Sequence, residues 1–305
     1  MRQLATVLSF ATFAVALAAQ DPPMKNAPEL GTVPWHRDLA AATTAARASA
    51  RPLFLLFQEI PGCSTCTSFG KDVLSHPLLA PAIEACFVPV AVRNNVDGDE
   101  GAIRDRFGEP PWNNPVVRFL DGDGKDLLPR ADGVWDAHGI AARMITALER
   151  SKRPVPGYLR LAHAESDPKT ATAVFAMHCF WEGEAALGEV DGVVRTTAAF
   201  AGGEEVVEVV FRPAVVALAE LTAHAAKASC RPMNVAAPRG AVKPAPASDQ
   251  QHALGGTPFA KLALTPMQRT RVHAALTAGR DPGEWLTPAQ AATVRAATGA
   301  TTNSK

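Results

Sequence analysis

Two short stretches of this 305-residue chain put cysteine where thiol chemistry is possible. The first is Cys63-Ser64-Thr65-Cys66, which follows an apolar run from Leu53 to Phe57 and a Pro61-Gly62 turn. A thiol at the start of a helix faces unpaired N–H groups and the positive end of the helix dipole, so it ionises more readily. A second thiol three residues on shares its face and can close a disulfide. Such a pair exchanges disulfides, the first thiolate attacking and the second resolving. The same spacing is half of a zinc site, but no second C-x-x-C and no paired histidines complete a set. No metal or cofactor is therefore expected, and a purely structural disulfide is the competing reading. The second stretch, Phe175-Ala176-Met177-His178-Cys179-Phe180-Trp181, places Cys179 between an apolar strand and a helix. The same dipole argument favours a reactive thiolate there, and a buried structural cysteine fits equally well. Cys86, at the start of a buried strand, reads as a core residue.

These cysteines need elements to position them. Leu39 to Ala50 is Ala-rich and helix-prone. Leu53 to Phe57, Phe87 to Val92 and Val116 to Leu120 read as strands buried on both faces. Asp121 to Lys125 has turn chemistry suited to a hairpin into Asp126 to Pro129, and Trp135 to Arg150 reads as a closing helix. The order is α/β with a mixed sheet. A second block, Thr172 to about Cys230, reads strand, helix, two strands, helix, a smaller α+β unit. The tail repeats itself: Leu264-Thr265-Pro266-Met267-Gln268 recurs as Leu286-Thr287-Pro288-Ala289-Gln290. Each Thr-Pro is an N-cap followed by proline at the first helical position, which predicts two short helices with a packing or docking role.

Formal net charge is zero, from 30 basic and 30 acidic residues, so no field of one sign points to nucleic acid or an anionic membrane. Arg2, the apolar run Leu4 to Leu17 and Ala16-Leu17-Ala18 form a secretory signal too short for a stable membrane span. Export to a periplasmic or extracellular compartment is expected, where disulfides persist. The expected boundaries are a signal at 1–18, a lead-in at 19–33, a first domain at 34–152 and a linker at 153–170. A second domain follows at 171–234, an Ala/Pro linker at 235–257 and a helical tail at 258–305.

From about Pro34 to Ser151 the chain resembles thioredoxin-like domains. Their "V-F-S-D-P" type turn and "F-V-P-V" strand have counterparts in Asp72-Val73-Leu74-Ser75-His76-Pro77 and Phe87-Val88-Pro89-Val90. Ile60-Pro61-Gly62-Cys63 is similar to thioredoxin-like proteins and selenoproteins with Val-Pro-Gly-Sec at this position. The resemblance implies a thioredoxin-like fold, redox roles for Cys63 and Cys66, and a substrate-binding role for Pro115 as that fold's cis-proline.

The second block resembles peptide methionine sulfoxide reductases of the A class. Their "G-C-F-W-G-x-E" stands here as His178-Cys179-Phe180-Trp181-Glu182-Gly183-Glu184. Their glycine-valine and glycine-glycine segments match Asp191 to Thr196 and Phe200 to Gly203, and their acidic strand matches Gly203 to Pro213. The resemblance implies that Cys179 attacks the sulfoxide sulfur, that Phe180 and Trp181 hold its methyl group, and that Glu205 protonates the departing oxygen. Cys230 is the candidate resolving thiol, with a free surface thiol as the other reading. The family's tyrosines have no counterpart, and Tyr158 is the chain's one tyrosine.

Together these resemblances imply an exported relay in which the Cys63/Cys66 dithiol supplies electrons to Cys179, which reduces methionine sulfoxide. Its partners would be oxidised or disulfide-bearing proteins and an upstream thiol reductant. Two alternatives stand beside it: a general thiol-disulfide oxidoreductase using the second block as a binding platform, and a non-catalytic interaction protein.

Overall fold

The computed structural model describes residues 26–112, 115–228, 231–232 and 241–302. The expected signal at 1–18 and Cys230 lie outside the described residues.

The first half contains α1 (Leu39–Ser49), β1 (Leu53–Gln58), α2 (Ser64–Asp72), α3 (Leu79–Cys86), β2 (Val88–Arg93), α4 (Asp99–Arg106), β3 (Val116–Leu120) and α5 (Ala137–Arg150). Its sheet has the order β2-β1-β3, with β1 parallel to β2 and antiparallel to β3. Every residue of β1 is buried because helices cover both faces. Phe54 and Leu56 point into a core with Phe69, Phe87, Phe119 and Met144. Their neighbours Leu53, Leu55 and Phe57 point the other way, against Leu39, Ala42 and Ala46 of α1. The period-2 alternation of a strand thus serves two apolar layers. The hairpin expected after β3 closes a single bridge, Leu120 to Asp126. The carboxylate of Asp126 is drawn into an ion pair with Arg118, and Pro129 has no N–H to extend a ladder.

Residues 153–170, expected as a linker, instead contain α6 (Gly157–Glu165). Tyr158, Leu159, Leu161 and Ala162 are buried in the same core as α5, so apolar burial makes this stretch part of the folded unit. Beyond it lie β4 (Ala171–Ala176), α7 (Phe180–Gly188), β5 (Val193–Ala201), β6 (Glu204–Phe211), α8 (Leu218–Lys227), β7 (Arg231–Pro232) and β8 (Lys243–Pro244). They build an antiparallel sheet of order β7-β4-β6-β5-β8. The segment expected as an Ala/Pro linker therefore supplies an edge strand, because Lys243 and Pro244 pair with Phe200 and Ala199.

The tail forms α9 (Pro266–Thr277) and α10 (Pro288–Thr302). The Thr265 hydroxyl accepts from the Gln268 amide, while the Gln268 side chain accepts from the Thr265 amide. Thr287 and Gln290 repeat this reciprocal arrangement. The two glutamines then bond each other through both amide groups, at 2.8 and 3.2 Å. Met267 enters the core of the first half together with Val194, so the tail seals the join between the two sheets.

Candidate functional site

Cys63 is the N-cap of α2, exposed, while Cys66 one turn later is fully buried. Their sulfurs lie 3.7 Å apart. The amides of Cys66 and Thr65 face the Cys63 sulfur and hold its thiol below the ordinary value, the Cys66 amide contributing most. Burial pushes the Cys66 thiol up to about 11, helped by its bond to Cys63. The two thiols thus differ: the surroundings of Cys63 favour its thiolate, and those of Cys66 favour the protonated thiol.

The loop carrying them is fixed from below. The amide of Gly62 donates to the buried Glu29 carboxylate at 2.8 Å. Gln58, at the end of β1, donates through its side chain to the carbonyls of Glu29 and Cys66. Glu29 reaches this position because the turn at Pro28–Leu30 packs on α2 at Gly70, where a Cβ would lie 2.0 Å from the Pro28 carbonyl oxygen. A carboxylate absent from the sequence reading, Glu59, lies beside both thiols, with its oxygen and the two sulfurs all within 4.8 Å of one another.

Pro115 is buried, and its carbonyl accepts the indole N–H of Trp135 at 3.0 Å. The bond expected to be cis joins it to Asn114, which lies outside the described residues; the Ile60–Pro61 bond is cis. Asn94 pairs with Gln58 through the backbone and donates through its side chain to the Pro110 carbonyl. This ties the loop that carries Trp112, 81% exposed, to the sheet end that carries Glu59. Glu109, buried between Arg118 and Arg130, anchors the same loop. Cys86 is half-buried against the core rather than enclosed by it.

The second centre assembles around Cys179, the half-exposed N-cap of α7. Glu205 reaches it from β6: its carboxylate accepts from the Phe180 amide at 2.9 Å, and its carbonyl accepts from the Met177 amide. Phe180 is buried and packs against Trp181 and edge-on against Phe200. Phe200 and Trp181 are partly open to solvent, 37% and 36% exposed. Cys179, Phe180, Trp181 and Glu205 are therefore brought together.

Residues from the former linker complete this centre. The Trp181 indole donates to the Asp249 carbonyl at 3.0 Å, and the His252 ring stacks on it at 4.3 Å. Glu184, fully buried on α7, accepts from the Ala198 amide and from both the backbone and side chain of Gln251. Burial still pushes its carboxyl up to about 7. Arg271 of α9 donates to the carbonyls of Gly188 and Val190 at the C-terminal end of α7, a favourable place for a cation. No local motif marks 249–252 or Arg271, because tertiary closure alone brings them here.

Residues 34–122 match the family model described as thioredoxin-like. This stretch is a thioredoxin-like domain. Over 64 residues the chain is also 39% identical to a peptide methionine sulfoxide reductase of Drosophila melanogaster, a match covering 17% of this chain and 26% of that protein. The chain thus spans about a quarter of the curated relative it matches. A solved structure titled DsbH Oxidoreductase aligns with 44% of this chain and 95% of its own, at 17% identity and a TM-score of 0.33. The thioredoxin-like domain and the reductase relative together support a thiol redox role. The dithiol of the thioredoxin-like domain and Cys179 sit on separate sheets, α2 packing chiefly on the Pro28–Leu30 turn and α7 on α9 and β5. Among the described residues no helix is long and apolar enough to cross a membrane.

Proposed function

We propose that this chain is an exported oxidoreductase acting on sulfur, in which the Cys63/Cys66 dithiol supplies electrons for methionine sulfoxide reduction at Cys179. The observation that carries the reading is the Glu205 carboxylate bonded to the Phe180 amide, beside the thiol it would serve. The Cys179 thiolate attacks the sulfoxide sulfur, Glu205 gives its proton to the departing oxygen, and the products are a thioether and a Cys179 sulfenic acid. The Cys63 thiolate then displaces hydroxide to form a Cys63–Cys179 disulfide. Cys66 attacks Cys63, releasing Cys179 and closing the Cys63–Cys66 disulfide, so two electrons pass in all. Because α2 and α7 pack on different neighbours, the transfer is an encounter step. Cys230 enters as a candidate relay thiol, and the leader at 1–18 carries the export reading.

The test is turnover of the S-epimer of a peptide methionine sulfoxide by wild type, Cys179→Ser and Cys63→Ser. The relay requires turnover with wild type, none with Cys179→Ser, and a single stoichiometric turnover with Cys63→Ser. Equal activity, or none, in wild type and Cys179→Ser refutes it. In that event, disulfide reduction that persists in Cys179→Ser leaves the general thiol-disulfide oxidoreductase as the reading.

A further inference from the structure

The sequence supplied two sulfur ligands and no set to complete them; the fold adds a third ligand. We propose that Glu59, Cys63 and Cys66 form a binding site for a thiophilic divalent cation, zinc being the reference ion, open only while the pair is reduced. The proposal needs the reduced pair but not the relay to Cys179.

The geometry points there on three counts. With zinc–sulfur bonds of about 2.3 Å, a tetrahedral centre sets its two sulfurs about 3.8 Å apart. The sulfurs of Cys63 and Cys66 are 3.7 Å apart before any ion enters. A carboxylate oxygen of Glu59 lies within 4.8 Å of both, close enough for one ion to contact all three ligand atoms. The ligand loop is preorganised, since Gly62 is bound to Glu29 and Gln58 holds the Cys66 carbonyl. Cys63 is exposed, which leaves the fourth position facing solvent, the pattern of an open rather than a closed site.

The charge balance is simple. The cation takes both sulfurs as thiolates, so the protons those thiols carry are released on binding. Oxidation to the Cys63–Cys66 disulfide removes both sulfur ligands. Conversely, a bound ion withholds the Cys63 thiolate from disulfide exchange. Metal occupancy and electron transfer therefore exclude each other at this pair.

The experiment uses full-length protein, reduced and freed of reductant without air. Zinc is titrated in competition with a chromophoric chelator, and cadmium is titrated separately while following thiolate charge-transfer absorbance. The expected result is one ion per chain with proton release, unchanged in Cys179→Ser. Forming the Cys63–Cys66 disulfide should abolish binding, and Glu59→Gln should weaken it at least about tenfold, the lower end of what disturbing a metal shell costs. Circular dichroism checks that Cys179→Ser and Glu59→Gln are folded. Undiminished binding after oxidation overturns the site. Wild-type affinity in Glu59→Gln overturns the three-ligand assignment.

Discussion

The two thiols of one helical turn should differ in reactivity by a margin that the structure fixes. Reduced protein is treated briefly with iodoacetamide at pH 7, and the first site modified is mapped by mass spectrometry. A thiol pushed up to about 11 is ionised to about one part in 10⁴ at pH 7, whereas one held below 9.0 is ionised to at least about one part in 10². The thiolate ratio is thus at least about 100. A less basic thiolate is intrinsically less nucleophilic, which over two units returns a factor of roughly 6 to 10. At least a tenfold preference for Cys63 remains from ionisation alone, and the complete burial of Cys66 adds to it. The rate at Cys63 should also reach half its plateau below pH 9.0, because the Cys66 and Thr65 amides stabilise that thiolate. Labelling of Cys66 as fast as Cys63, or a Cys63 profile centred above pH 9, would refute the reasoning.

Other outcomes follow from burial and packing. Glu184, with its carboxyl raised from 4.5 to about 7, contributes stability that is present below pH 4.5 and lost as pH rises through 7, about 3 kcal/mol in full. His273, buried and lowered from 6.5 to about 4, contributes stability that is present above pH 6.5 and lost as pH falls through 4, by a similar amount. The two slopes oppose each other between pH 4.5 and 6.5, so removing one group should expose the slope of the other. Relative to wild type, urea midpoints should rise with pH in Glu184→Gln and fall with pH in His273→Phe; curves parallel to wild type would sink this account. Gly70→Ala should destabilise by about 1–3 kcal/mol, since its Cβ would collide with the Pro28 carbonyl, and thermal melts would show it. Gln268→Ala removes the reciprocal cap, the Gln290 pair and a bond to the Trp285 carbonyl. A loss of about 1–3 kcal/mol is expected from thermal or urea unfolding.

Much of this was legible in the sequence where the signal was local. The β1 run, the Cys63 helix start, the strand before Cys179 and the Thr-Pro caps each carry their instruction within ten residues. Glu205 was legible only by resemblance, since nothing in Glu204-Glu205-Val206 says which carboxylate turns towards Cys179. Glu59 was illegible for a different reason: its meaning depends on where the Pro61 turn returns the chain. The stretch 153–170 misled because its prolines and polar ends mask a buried face made of Tyr158, Leu159, Leu161 and Ala162. Residues 249–252 carried no periodicity at all, and their partners Glu184, Ala198 and Trp181 lie about fifty to seventy positions upstream.

That separation has a consequence for how such a chain can be cut and reassembled. The boundary a reader would draw after α8 leaves Cys179 without the carbonyl that holds its tryptophan, the amides that satisfy Glu184 and the guanidinium beneath its helix. A fragment ending there would carry the signature residues and lack their supports. The folded unit therefore runs on past α8 to α9, and recombination within 229–245 would separate Cys179 from the residues that support its helix. The LTPxQ tail travels with α7 because α9 packs against it.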